Sequence, residues 1–244
     1  MKTLQVFALA AAVATAAPSR SQDIQVNKDN RTIAITATDK VIVMADTATV
    51  HIGFITYGPD KDAAYASGST LSNAIIKALT AAGVPSDAIE SENQNVSPVQ
   101  DYQVDKLTPA EKAQRKFQVT QSWTVRTNAA DAARVLDLAV KAGANQSGQI
   151  DWSLKDENAA QAQAAANALK RARTVAAQMA TGLNVKLGPL VFASNETQTS
   201  PVQPLMQMRA GVAGMAAPPP VPPLAINPRR IEKFATVYAV FSIE

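Results

Sequence analysis

Apolar and polar positions alternate with a period of two along some stretches of this chain and with a helical period along others. The order of those stretches predicts its architecture. Over residues 32–43, Ile33, Ile35 and Ala37 share one side while Thr32, Thr36 and Thr38 are among the polar neighbours, as in a half-buried strand. Residues 47–57 predict a second strand, with Ala48, Val50, Ile52 and Phe54 toward a core and Gly58-Pro59-Asp60 breaking it. A helix follows over about 61–82. Its face carries Ala64, Leu71, Ile75, Ala78 and Leu79, and Gly83 and Pro85 end it. Residues 88–99 read as extended and polar, and Pro98 places them at a sheet edge.

Residues 101–116 are charged and turn-prone, with one short helical turn predicted at 108–111. Residues 117–127 form the clearest strand, with Phe117, Val119, Trp123 and Val125 on one side. Asn128 then caps a helix over 129–142, and Gly143 stops it. A strand over 149–155 turns Ile150, Trp152 and Leu154 inward, and short strands are predicted at 188–194 and 234–243. Between them lies the longest predicted helix, residues 159–181. Asn158 is its expected cap, Gln161 completes a capping box, and Gly182 is its expected left-handed stop. It would span roughly 35 Å. The stripe Ala162, Ala165, Leu169, Ala172, Ala176, Met179 is its expected buried face, thin enough for close packing.

The pattern strand, helix, Ala-Gly, loop, strand occurs at 47–99 and again at 117–155, with the helices ending at Ala82-Gly83 and Ala142-Gly143. The expected fold is therefore α+β: two β-α-β units plus a long third helix, all packed on one face of a largely antiparallel sheet. Residues 197–230 break this pattern. Nine of the 14 prolines fall between Pro189 and Pro228, a density that excludes regular structure. The strongly patterned strand after it makes the Pro/Met/Ala-rich segment an excursion from one domain at 23–244.

Composition narrows the compartment and the chemistry. Lys2 followed by an apolar, Ala-rich run over 4–13 and the small residues Ala14-Thr15-Ala16 reads as a secretory signal within residues 1–22. The run is too short for a membrane-spanning helix, and no later segment is long and apolar enough. The 244 residues contain no Cys, so an exported fold must hold by packing alone. The net charge of +3 is weak and unclustered, and nucleic acid is not an expected partner.

Candidate chemistry is sparse. The single His, His51, falls on the polar side of the second strand with Thr49. Cys/His zinc sites are therefore out of reach, and no Gly-x-Ser-x-Gly elbow, P-loop or Gly-x-Gly-x-x-Gly is present. Glu90 and Glu92 lie two apart on one strand, a spacing that could hold a cation, although edge carboxylates ordinarily block sheet extension. Met206, Met208 and Met215 carry soft thioethers suited to Cu(I), although flexible Met more often serves adaptable protein contacts. No catalytic, cofactor-binding or metal-ligating residue is assigned, and no cofactor is expected.

Several ordered segments together resemble the SIMPL-domain family, which includes bacterial periplasmic immunogen and oxidative-stress-defence proteins. They are ITATDKVIVMADTATVHIGFITYGPDKDAAY, AIIKALTAAGVPSDAIESENQNVSP and AARVLDLAVKAGANQSGQIDWSL, followed by the Ala-rich helix and the Pro/Met/Ala segment. Thr36-Ala37-Thr38-Asp39 departs from the Gly-rich start common in that family. The resemblance implies an exported, non-enzymatic protein that forms homo-oligomers, meets an envelope protein partner, and is linked to envelope or oxidative stress. The alternative is a periplasmic metal- or small-ligand-binding protein using the Met-containing segment.

Overall fold

The computed structural model describes residues 31–196 and 222–244. The signal-like segment at 1–22 and Met206, Met208 and Met215 lie outside those residues. Among the described residues seven strands and five α-helices follow one another as β1 (Thr32–Met44), β2 (Thr47–Gly58), α1 (Lys61–Ala81), β3 (Ile89–Pro98), α2 (Asp101–Val104), α3 (Pro109–Gln114), β4 (Phe117–Asn128), α4 (Ala132–Lys141), β5 (Ile150–Ser153), α5 (Glu157–Gly182), β6 (Leu187–Glu196) and β7 (Arg230–Ile243). The expected strands and long helices are present, and every strand pairing is antiparallel.

The strands divide between two sheets, where one had been expected. One sheet has the order β3-β4-β2-β5, the other β1-β7-β6. In the four-stranded sheet β2-α1-β3 crosses over β4, and β4-α4-β5 crosses over β2. The repeat read in the sequence is thus a split β-α-β pair with ferredoxin-like connectivity. The third helix does not share that sheet, because α5 covers β1 and β7. Strand periodicity marks which residues face a helix, but two sheets of the same period carry the same signal.

Each sheet has its own core. Val50, Ile52, Phe54, Trp123 and Val125 meet Ile75 and Leu79 of α1 and Val135, Leu136 and Ala139 of α4, with the Phe54 and Trp123 rings 5.9 Å apart. Gly68 lets α1 approach β4 closely, since a Cβ there would stand 2.8 Å from Val119 Cγ1. The Arg134 guanidinium donates to the Ala82 carbonyl (3.1 Å), satisfying a helix C-terminus with a cation. The second core joins Ile33, Ile35, Ala37, Val237, Ala239 and Phe241 to α5.

The buried face of α5 matches the expected one at Ala172 and Ala176 and differs elsewhere. Ala160, Ala164, Ala168, Ala172, Ala176 and Ala180 are buried, while Met179 and Leu183 are exposed. A four-residue repeat drifts by about 40° per step around a helix, so this stripe follows a twisted sheet. Ala side chains keep the backbones close along it. The ends shift as well: Asp156 caps the helix by accepting from Ala159 N–H (2.8 Å), and the left-handed residue after it is Asn184 (φ 53°). Asp156 offers a carboxylate acceptor two residues ahead of Asn158, and Gly182 stays helical.

The sheets meet at Ala45-Asp46, between β1 and β2. Ala45 N–H donates to the Arg229 carbonyl (2.9 Å), and the Asp46 carbonyl accepts from Ala129 N–H (2.9 Å). The Asp46 carboxylate accepts from Lys155 N–H (2.7 Å) and the Thr47 hydroxyl (2.9 Å). Those bonds, the Lys155 amide first, hold its pKa below the ordinary carboxylate value.

Two outcomes follow. Ala172→Leu overpacks the contact between α5 and its sheet and lowers stability by about 1–3 kcal/mol in urea denaturation; an unchanged midpoint would contradict the close approach. Asp46 is depressed in the folded state, so its contribution is present above the unfolded carboxylate pKa and is lost as pH falls through the folded value. Asp46→Asn is therefore less stable than the wild type at neutral pH. Melting curves of the two converge as the pH drops below the carboxylate range, and a constant difference down to strong acid would contradict the assignment.

Candidate functional site

Helices cover only one side of each sheet, and the uncovered sides differ in chemistry. On the four-stranded sheet the open side is built by residues alternating with the core positions: Thr49 and His51 of β2, Thr120, Ser122, Thr124 and Arg126 of β4, Asp151 of β5. His51 falls on this polar side with Thr49, as the alternation predicted. Its Nε2 lies 2.8 Å from Asp151 Oδ2 and its Nδ1 lies 3.6 Å from Glu92 Oε1. The imidazole thus reaches β5 on one side and, across β4, β3 on the other. Gln149 also donates to Asp151 (3.3 Å).

Glu90 and Glu92 go to separate partners. Glu90 sits 3.8 Å from Arg126, and Glu92 reaches His51. The β3–β4 register shifts between Ser91 and Asn93, which leaves Glu92 as the extra residue of a bulge. The two carboxylates do not converge on one cation position. Asp151 and Glu92 address opposite nitrogens of the ring, so they do not converge with it either. Among the described residues no group of three His, Asp or Glu side chains forms a metal site.

Sequence reasoning missed Asp151 as the partner of His51, because the β2–β5 register of Thr49 with Asp151 is a long-range pairing. It also left the Ala142-Gly143-Ala144-Asn145 segment unexplained. Gly143 takes φ +113° after α4. Asn145 then pairs with the backbone of Ile55 in both directions: Oδ1 accepts from Ile55 N–H (2.9 Å) and Nδ2 donates to the Ile55 carbonyl (3.0 Å). Gln146 N–H donates to the Gly53 carbonyl (2.9 Å). The segment therefore extends the edge of β2 beyond β5.

On the three-stranded sheet the open side is largely uncharged. The exposed positions of β1 are Ala34, Thr36, Thr38, Lys40, Ile42 and Met44. Thr38 and Thr236 hydroxyls are 2.9 Å apart, and Phe192 and Tyr238 rings are 6.3 Å apart. Lys40 is neutralised by Glu232 at 2.9 Å and lies 5.6 Å above the Phe234 ring. Among the described residues no helix is long and apolar enough to cross a membrane.

A ferredoxin-like α+β unit joined through one strand run to a second, helix-backed sheet is the class of structure defined here. The chain belongs to the SIMPL family, described as a protein of unknown function (DUF541), whose profile matches residues 33–241. It is similar to the 26 kDa periplasmic immunogenic protein of Brucella melitensis, at 24% identity over 232 residues covering 93% of this chain and 90% of that protein. The protein of the same name from Brucella abortus is 23% identical over the same shares.

The geometry orders the two His51 contacts. A double-mutant cycle in denaturation of His51→Ala with Asp151→Ala should return a coupling of about 0.5–1.5 kcal/mol, as for a side-chain hydrogen bond. The cycle with Glu92→Ala should return less, and equal couplings would contradict the ordering.

Proposed function

We propose that this chain is an exported, periplasmic SIMPL-domain protein that works without catalysis, through self-assembly and contact with an envelope protein, in defence against envelope or oxidative stress. The signal-like start and the names of the Brucella relatives, which call them periplasmic, support the compartment.

One observation carries the assembly reading. The open side of the three-stranded sheet leaves apolar groups in water at Ile42 (49% exposed), Met44 (51%) and Phe234 (43%). Contiguous exposed apolar surface marks contact sites. The occupant is a second copy of the chain. On this side the charged residues of β1 and β7 are Lys40, which Glu232 pairs, and Arg230 opposite Met44, which leaves a single positive charge at one end of the face. The Thr hydroxyls offer hydrogen bonds around the apolar groups.

Size-exclusion chromatography with light scattering on the chain lacking residues 1–22 should give an oligomer. The variant Ile42→Lys with Met44→Lys should shift it toward monomer while its circular dichroism is unchanged. A strict monomer at high concentration, or a double variant that assembles like the wild type, would contradict the reading. Turnover of a substrate that disappears in His51→Ala would contradict the non-enzymatic part.

A further inference from the structure

The side of α1 away from α4 does not reach the edge of its sheet. The helix lies over β2 and β4, and the inner side of β3 extends past it. The gap is a cleft of ≈ 390 Å³ with α1 as one wall, β3 as the other and β4 as floor. Gly68 gives the cleft its depth. The helix backbone rests on Val119 there, and any side chain would collide with that floor. Tyr65, Ser69 and Ser72 stand along the helix wall at spacings of four and three residues, a single stripe. Gln94 comes from the strand wall and Gln121 from the floor.

The chemistry of this lining is specific. None of the described lining residues is charged. Ser69 accepts from Asn73 at 3.5 Å and Asn95 donates to Ser97 at 3.3 Å, while the polar ends of Tyr65, Ser72, Gln94 and Gln121 make no hydrogen bond with a described side chain. Two carboxamides, each holding a donor and an acceptor a fixed distance apart, match adjacent hydroxyls, which also donate and accept. Tyr65 is 63% exposed, and its ring offers an apolar platform at the cleft mouth. A phosphate or carboxylate would find no cation here, and a cation would find no carboxylate. The volume lies at the small end of ligand sites.

We propose that this cleft binds a neutral saccharide of one or two rings, with Tyr65 stacking on the sugar face and Ser72, Gln94 and Gln121 reading its hydroxyls. This site is separate from the open face of the three-stranded sheet, and it stands whether or not the chain assembles.

Saturation-transfer NMR and calorimetry on the chain lacking residues 1–22 test it, and both work at any oligomer size. The probes are glucose, N-acetylglucosamine, cellobiose and chitobiose, with glucuronic acid and glucose 6-phosphate as charged counterparts. At least one neutral probe should bind saturably. Tyr65→Ala should weaken it about tenfold, and Ser69→Leu, which fills the cleft from an exposed helix position, should abolish it with the melting temperature unchanged. The charged counterparts should bind more weakly than their neutral parents. No saturable binding of any neutral probe, binding untouched by both substitutions, or a charged probe binding more tightly than its parent would overturn the proposal.

Discussion

The structure depends on a two-residue crossing. β1 and β2 form one nearly continuous run, and at Ala45-Asp46 it leaves one sheet and enters the other. A strand that changes sheets exposes backbone groups which neither ladder can satisfy. Two of them are met from outside the run: Ala45 N–H by Arg229, ahead of β7, and the Asp46 carbonyl by Ala129, ahead of α4. The Asp46 carboxylate then takes Lys155 N–H, between β5 and α5. Segments leading into both sheets are thus bonded to one corner, and the two helix-backed layers are set in relation to each other there.

That arrangement decides which surfaces are available. Among the described residues each sheet has helices on one side only, so two helix-free sheet sides of different character remain; on that of the three-stranded sheet Val240, opposite Ala34, is buried while Ile42, Met44 and Phe234 are exposed. One is crossed by the Asp151–His51–Glu92 line and by Glu90 with Arg126, three carboxylates against one arginine and one histidine. The other is a surface of Thr, Ala and apolar side chains with a neutralised Lys40 and with Arg230 at one end. Charged groups favour a solvated surface. Exposed apolar groups favour contact, and that contrast is what supports the proposed assembly through the three-stranded sheet. The neutral cleft beside α1 belongs to neither side, because it arises where a helix stops short of the edge strand.

Much of the fold was legible because it is local. Alternation located β1, β2 and β4, Asp60 and Gly83 bracketed α1, and Pro98 placed β3 at an edge, where it is found. Long-range facts were not legible. Nothing in the alternation of β1 and β7 distinguishes a separate sheet from more strands of the first. The buried stripe of α5 was legible at Ala172 and Ala176 and misread elsewhere, because Leu169 and Met179 are among the helix's largest apolar residues, whereas the helix is seated by its smallest. Of the site residues, His51 was placed on its polar side by periodicity alone. Its partner Asp151 depended on the β2–β5 register, and the reach of Glu92 on a bulge, neither of which leaves a mark in composition.

The central claim is that copies of this chain meet through the open side of the three-stranded sheet, and the absence of Cys makes it directly measurable. A single cysteine introduced as Thr36→Cys stands exposed on β1 on that side, and one introduced as Thr174→Cys stands exposed on α5, across the sheet from it. With a short bismaleimide linker, the account predicts covalent dimers from Thr36→Cys at concentrations where Thr174→Cys remains single chains. Equal yields from the two positions, or none from Thr36→Cys, would contradict it.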